Sequence, residues 1–273
     1  MKSSLFAIVL ISCIAASAQT PAISPGGIVN GASFVQGEPI AAGSLITIFG
    51  TALASVVAQA DTIPLATTLG NVSVNFVTPS GTIPAPLLFV QNDDPSKQIT
   101  SQINLQVPWN AIPPGTTGTV NVVVTRGGVS SAPTPVTIGP YSPGVFTSGG
   151  RVIAINPDGT LAWPAGVVPG LTSHPARISD PLVVYATGLG AVDSTPANGQ
   201  NSLDKLRRTV VTPIVLVGGM SAQVQFSGLS PQFVGVNQIN VVVPNIGAGD
   251  AVPLQVQVGG ITTPDRNTIA VMP

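Results

Sequence analysis

Ile46-Thr47-Ile48-Phe49-Gly50-Thr51-Ala52-Leu53 recurs 136 residues further on as Leu182-Val183-Val184-Tyr185-Ala186-Thr187-Gly188-Leu189. Gln102-Ile103-Asn104-Leu105-Gln106-Val107-Pro108 recurs at the same offset as Gln238-Ile239-Asn240-Val241-Val242-Val243-Pro244. Two separated blocks that share one offset mark a duplicated module. A third match, residues 124–133 (VTRGGVSSAP) with 256–264 (VQVGGITTP), follows after a small deletion in the second copy. Each copy therefore closes with a strand, a Gly-Gly turn and another strand. The apolar residues in these blocks are β-branched and fall in short alternating runs, the pattern of half-buried strands.

Composition agrees with an all-β chain. Among 273 residues there are 30 Gly and 27 Pro, 44% are hydrophobic, 4% aromatic and only 7% charged. Ordinary globular chains carry roughly 25% charged residues, and Glu38 is the single glutamate here. Amphipathic helices with charged outer faces are therefore excluded. Nucleic-acid binding is excluded as well, because nine Lys and Arg against ten Asp and Glu create no basic field to neutralise phosphates. Disorder requires low hydrophobicity and high net charge, the reverse of what is found.

Strands are expected over residues 44–49, 71–77, Leu87–Gln91, 103–107, 119–125 and 130–138, with the Pro79-Ser80-Gly81 turn between the second and third. In the second copy they are expected over 182–187, 210–217, 222–226, 239–243, 253–258 and 268–271. Residues 151–155 and 160–163 should form a hairpin across a type I turn at Asn156-Pro157-Asp158-Gly159. Short strands at regular spacing suggest two sandwiches of about 100 residues each. The resulting organisation is a signal peptide over 1–18, an N-terminal segment over 19–27, a first immunoglobulin-like sandwich over 28–139 and a second over 140–273. The second begins with a hairpin and loop over 140–180. The loops 164–180, with three prolines, and 192–205 are long, and long ordered loops are where function collects.

The N-terminus carries an export signal. Lys2 precedes an apolar run from Leu5 to Ile14, and Ala16-Ser17-Ala18 supplies small residues before a cut at Gln19. The run is too short for a bilayer span, which needs ~20 apolar residues, so no transmembrane segment is expected after the leader is removed. Leu10-Ile11-Ser12-Cys13 resembles a lipobox, which would leave a lipid on Cys13, but the Ala-x-Ala site is the preferred reading. Cys13 is the only cysteine, so ordinary cleavage leaves neither disulfides nor thiolate chemistry. The expected location is extracellular or in the cell envelope.

Chemical groups are scarce. His174, the only histidine, lies in a loop; as a general base it would need an orienting carboxylate, such as Asp180, and a nucleophile brought close in space. No Gly-x-Ser-x-Gly elbow is present, and a solvated loop histidine is the preferred reading. Asp93-Asp94 is the only adjacent carboxylate pair. It reads as a turn with Asn92 and Pro95 rather than as a glycosidase pair or a calcium loop. A zinc site is excluded because one His and no mature Cys cannot complete its shell. Gly26-Gly27, Gly149-Gly150, Gly218-Gly219 and Gly259-Gly260 read as hairpin turns, not phosphate loops. Trp109 and Trp163, with Tyr141 and Tyr185, are the candidates for a sugar-stacking face, against a core or hinge role for each. Trp109 follows the first Gln-Ile-Asn block where the second copy has Asn245.

Several blocks together carry a family resemblance: Asn30-Gly31-Ala32-Ser33-Phe34, residues 42–50 (AGSLITIFG), Gln102-Ile103-Asn104 with Val107-Pro108-Trp109, residues 185–190 (YATGLG), and Phe233-Val234-Gly235 leading to Gln238-Ile239-Asn240. Over nearly the whole chain from about Ile28, this pattern resembles the uncharacterised C-terminal domain of secreted Acidobacteria proteins such as those of Solibacter. That domain is similar to a tandem of IPT/TIG modules, which are immunoglobulin-like sandwiches. The resemblance implies an all-β fold and an extracellular address, and it supplies no catalytic residues. Family members commonly carry the unit behind other extracellular domains, whereas here it follows the leader directly.

The expectation is a non-enzymatic structural or binding protein of two tandem sandwiches, acting in adhesion, matrix assembly or protein contact. No cofactor or metal is expected. The partner would be an extracellular protein or polysaccharide, with self-association through edge strands also open. The alternative is a carbohydrate-binding module using Trp109 or Trp163; an extracellular hydrolase using His174 ranks last.

Overall fold

The duplicated blocks are paired strands. In the computed structural model, which describes residues 19–264 and 266–273, Leu45–Thr51 runs antiparallel to Ser101–Gln106, with Ile46 opposite Leu105 and Ile48 opposite Ile103. Pro181–Thr187 runs antiparallel to Asn237–Val242, with Leu182 opposite Val241 and Val184 opposite Ile239. The registers match residue for residue at the repeat offset. A side-chain bond repeats too: Gln102 Nε2 donates to Asn104 Oδ1 at 2.7 Å, and Gln238 Nε2 to Asn240 Oδ1 at 2.8 Å. In the third block, Val124 N donates to Ser131 Oγ at 3.1 Å and Val256 N to Thr263 Oγ1 at 2.9 Å. The expected leader and its Cys13 lie outside the described residues.

The first module is a sandwich of two sheets. One has the order Ala22–Asn30, Leu45–Thr51, Ser101–Gln106, Leu87–Gln91, Ala58–Gln59; the other Ile40–Ala41, Thr134–Gly139, Gly118–Arg126, Val72–Thr78, Thr68–Leu69. Alternate residues point inward: Val72, Val74 and Phe76 face Ile46, Ile48, Ile103 and Leu105 in one fully buried cluster. Burying each such side chain contributes about 1.5–3 kcal/mol.

The second module builds a separate core from Leu182, Val184, Ile239 and Val241 on one side and Val215, Val217, Leu254 and Val256 on the other. Its two faces belong to one continuous sheet. Met220–Leu229 makes the crossing: Ala222 pairs with Val215, then Gln223 onward pairs with Asn237–Val242, with a bulge between Val224 and Phe226. A bulge bends and twists a strand, so it can turn such a corner. The chain is all-β, two immunoglobulin-like sandwiches in tandem. Among the described residues the one helical element is a single 3-10 turn, Pro95–Lys97, and no helix is long and apolar enough to cross a membrane.

Several expectations need correction. The segment 19–27 does not stand outside the first module, because Ala22–Asn30 is a strand whose Ala22 and Ile23 pair with Thr51 and Gly50. Gly26-Gly27 lies at an irregularity within that strand, not at a hairpin turn. The turn at residues 79–81 leads into an additional strand, Gly81–Pro84, which folds back on Val72–Thr78. Residues 130–138 are split into Val129–Ser130 and Thr134–Gly139 around Ala132-Pro133, since proline has no N–H for a ladder. Residues 210–213 are not strand, and Val210 and Val211 are exposed. The turn at Asn156 closes as expected, with Gly159 N donating to Asn156 O at 3.0 Å, but residues 160–163 form no strand and carry only isolated bridges from Leu161 to Ile155 and to Ser173.

Buried neutral groups join the modules. Asn30 Nδ2 donates to Ser142 O at 2.6 Å. Thr187, fully buried, accepts from Leu45 N at 2.9 Å and donates to Gly235 O at 2.8 Å. Next to it Gly188 adopts φ 77°, and a Cβ there would overlap the Ser142 carbonyl oxygen. The matching residue of the first copy, Ala52, holds φ 54° with its Cβ in place, so the glycine at 188 is demanded by the junction and not by the backbone angle alone. Gly188→Ala is expected to lower the unfolding free energy by more than about 2 kcal/mol, beyond the ~1–2 kcal/mol of left-handed strain. Urea denaturation measures this, and a loss below ~1 kcal/mol would show that the junction yields freely.

Candidate functional site

The loop 192–205 returns from the second module to the first. Gly199 N donates to the fully buried Gln106 Oε1 at 2.8 Å, and Leu65 N donates to Gly199 O at 2.9 Å. Trp109 N donates to Asn198 Oδ1 at 2.8 Å, and Asn198 Nδ2 donates to Asn110 Oδ1 at 2.9 Å. The expected functional loop is thus first of all a clamp. Between it and the turn after Trp109 lies a cleft of about 540 Å³, lined by Trp109, Asn110, Pro113, Pro114, Thr195 and Asn198 among others. Among the described residues no charged one lines it, nor the smaller recess beside it that reaches Ala42 and Gly190.

Trp109 is half-buried, and its Nε1 is buried without a hydrogen-bond partner among the described residues. The indole rests on Gly43: a Cβ there would overlap Cη2, Cζ2 and Cζ3 together, which places Gly43 against the face of the six-membered ring. The second copy shows what that glycine is for. Ser179 occupies the matching position with a similar left-handed φ, 71° against 76° for Gly43. Its N–H donates to Val243 O at 2.9 Å as that of Gly43 donates to Val107 O at 2.9 Å. A side chain is therefore accommodated by this backbone, and it is the indole of Trp109 that excludes one at 43. The counterpart of Trp109, Asn245, is exposed and needs no such space.

Trp163 is placed differently from the expectation of a ligand contact. It is 3% exposed, and its Nε1 donates to Val152 O at 2.6 Å, so it is a core anchor that no ligand reaches. Tyr141 is wedged at the junction, where a Cβ on Gly190 or Gly259 would overlap its ring. Tyr185 packs edge-on against Phe233 with centroids 6.1 Å apart. Phe233 lies with Ile63 and Leu203 along a second, mainly aliphatic groove of about 580 Å³.

His174 meets Asp158, not Asp180. Its Nε2 is 2.9 Å from Asp158 Oδ2 and its Nδ1 is 2.8 Å from Pro175 O. Both ring nitrogens thus face acceptors, which favours the imidazolium. The Pro175 carbonyl, then Asp158, raises the His174 pKa. Hydrogen bonds from Thr160, then His174, lower that of Asp158 to about 2. No serine, threonine or cysteine hydroxyl or thiol bonds to His174 among the described residues.

Asp93 is occupied in the fold, accepting from Ala52 N at 2.6 Å and Ser101 N at 2.8 Å. Asp94 pairs with Lys97 at 2.8 Å. Among the described residues no three His, Cys, Asp or Glu side chains cluster to hold a metal ion.

The amides of Asn110 and Asn198 beside Trp109 were not legible in sequence. The one signal was the length of the loop 192–205, and its docking partner is a long-range contact.

No family model and no curated protein matches the chain. Solved structures similar to it include the Bacteroides ovatus mixed-linkage glucan utilization locus protein SGBP-B in complex with a mixed-linkage heptasaccharide, at 12% identity and TM-score 0.34. The match covers 95% of this chain and 47% of that one, so the chain spans about half its length. Domains 5–6 of the S-layer protein SbsC match at 12% identity and TM-score 0.28, covering 92% and 98% of the two chains. The C-terminal domain of the Streptococcus agalactiae AgI/II polypeptide BspA matches at 12% identity and TM-score 0.20, covering 93% and 100%. At such scores, function is argued from the chain's own residues.

The His174–Asp158 pair has a defined pH window. A raised histidine pKa stabilises fully below about pH 6.5, and that contribution is lost as pH rises through the folded-state value. A depressed aspartate pKa stabilises above about pH 4 and is lost as pH falls through about 2. The destabilisation caused by His174→Ala is therefore expected to be larger at pH 5 than at pH 9 in urea titrations. In NMR titration the His174 midpoint should lie above that of free histidine and drop in Asp158→Asn. An unchanged midpoint would remove Asp158 from the account.

Proposed function

We propose that this protein is a non-catalytic binding or structural element of the cell surface or extracellular space, in which two sandwiches act as one stiff body. The observation that carries this reading is the clamp through Gly199, which ties the second module to Gln106 and Leu65 of the first. Inter-domain contacts within a chain ordinarily leave relative motion. Here bonds at Asn30, Thr187, Gly199 and Asn198 hold the modules at several separated points. Stiffness suits a scaffold that presents a surface and cuts the ordering cost of binding.

Two further features support the reading. The leader-like residues 1–18 direct export, and the one histidine is engaged by two acceptors. The IPT/TIG resemblance points the same way, toward adhesion, matrix assembly or protein contact. The hydrolase reading finds no nucleophile beside His174. Sugar binding retains Trp109 alone of its two candidates, and the cleft beside that residue is what favours it.

The test is capture. Tagged protein made in its producing cells is expected outside the cytoplasm, held by envelope material or by copies of itself. A strictly monomeric protein that nothing in the envelope retains, or a hydrolytic activity abolished by His174→Ala, would sink the proposal. Gln106→Ala removes the clamp's buried acceptor, with an expected cost of about 1–3 kcal/mol. Small-angle scattering should then show a broader distribution of inter-module distances than in the parent protein.

A further inference from the structure

We propose that the cleft between the modules at Trp109 is a binding site for a neutral oligosaccharide segment. The proposal rests on the reading of the chain as an extracellular binding protein and names the ligand class of that surface. Four observations carry it.

The cleft contains an indole in a chain with only two tryptophans, and the other is locked in the core. Gly43 backs the ring of Trp109, so the indole is held in one place instead of swinging over the surface. A fixed, half-buried indole supplies what a sugar ring needs, an apolar plane against which its C–H face lies.

The polar groups at the cleft are neutral and fixed in direction. Asn198 bonds both to Asn110 and to the Trp109 backbone. An amide has two donors and two acceptor lone pairs. Asn198 uses one donor and one acceptor, and Asn110 one acceptor, in the bonds just named. The remaining capacity of both is of the kind that pairs with hydroxyls, each of which donates and accepts.

Among the described residues no charged side chain lines the cleft. An anionic ligand would find no cation here, and a cationic one no carboxylate. A volume of about 540 Å³ falls within the ~300–1,000 Å³ typical of small-molecule sites. The walls Pro113, Pro114 and Pro196 are rigid, so little ordering is lost on binding.

The feature also belongs to one copy only. The Gly43 and Trp109 pair of the first module is Ser179 and Asn245 in the second, on matching backbone hydrogen bonds. A proline-rich peptide is the other ligand that aromatic grooves take, but it lies between several aromatic ridges, and this cleft has a single aromatic side chain.

The experiment is affinity electrophoresis of the mature chain, residues 19–273, through gels holding one soluble neutral polysaccharide each: a mixed-linkage β-glucan, a β-1,4-linked xyloglucan, a galactomannan and an α-glucan. Polygalacturonate serves as charged control and a decaproline peptide is tested by calorimetry. At least one neutral glycan is expected to retard the protein, polygalacturonate to leave it unretarded, and decaproline to give no heat. Trp109→Ala should weaken the retarding interaction by about tenfold or more. Because that change also empties the space over Gly43, a second variant is needed. Thr195→Arg, at an exposed position on the rim, fills the cleft without removing a core contact and should weaken binding to a similar degree. Acrylamide quenching of tryptophan fluorescence should fall on adding the glycan in the parent protein.

Binding to decaproline in place of glycan, retardation that survives both variants, or no retardation by any neutral glycan overturns the proposal. If no glycan binds while envelope material still captures the protein, the ligand class is wrong and the surface-binding reading stands. If neither occurs, both fall.

Discussion

The hydroxyl of Thr187 accepts the Leu45 N–H and donates to the Gly235 carbonyl, fully buried between the two modules. It stands for the constraint under which the whole chain is built: few charges are available, so buried polarity is satisfied by neutral side chains on backbone groups. Asn30, Gln106, Asn198 and Ser131 work in the same way. A buried ion pair pays a desolvation penalty that can exceed its attraction, whereas an amide or hydroxyl with its partner in place costs far less. The ion pairs at Asp94 and Asp158 each have a partner more than half exposed, and only the pair of Asp204 with the buried Arg207 stands in the region of the returning loop. The bonds that join the modules at Asn30, Thr187, Gln106 and Asn198 involve no ionisable side chain.

Much of the fold was legible because it is repeated. Two blocks at one offset, each with alternating β-branched residues, predict two equivalent strand pairs, and their registers coincide. Leu87–Gln91 falls where alternation puts it. The errors arise where pairing depends on residues far away. Val210 and Val211 have the composition of strand but belong to none, while Ala22 and Ile23 pair with Thr51 and Gly50. Gly26-Gly27 looks like a hairpin turn and is an irregularity in a strand, because the partner strand was invisible in the local sequence.

The site was legible only in part. Trp109 and Trp163 are indistinguishable by type, and their fates follow from what meets the indole nitrogen. Val152 O satisfies that of Trp163, which closes the residue into the core. Trp109 instead sits where the returning loop arrives. The length of 192–205 suggested function, yet its first role is mechanical, and the cleft exists because the clamp holds one wall of it in place. His174 illustrates the opposite case. Its sequence surroundings suggested Asp180, but the tight turn at Asn156 brings Asp158 to it.

Duplication makes the remaining asymmetry informative. Where two copies share register, turn and hydrogen bonds, a difference between matched residues is not explained by the fold they have in common. Ala52 and Gly188 differ because only the second faces the junction at Ser142. Gly43 and Ser179 differ because only the first lies under an indole. In the first pair the glycine serves contact between the modules; in the second it seats a large aromatic side chain outside the first module's core cluster, whose nitrogen has no hydrogen-bond partner among the described residues. Burying a donor without a partner costs on the order of 1–3 kcal/mol, and an apolar residue of similar shape would avoid that cost. Trp109 is therefore not the stability optimum for its position, which accords with the ligand contact proposed at the cleft it lines.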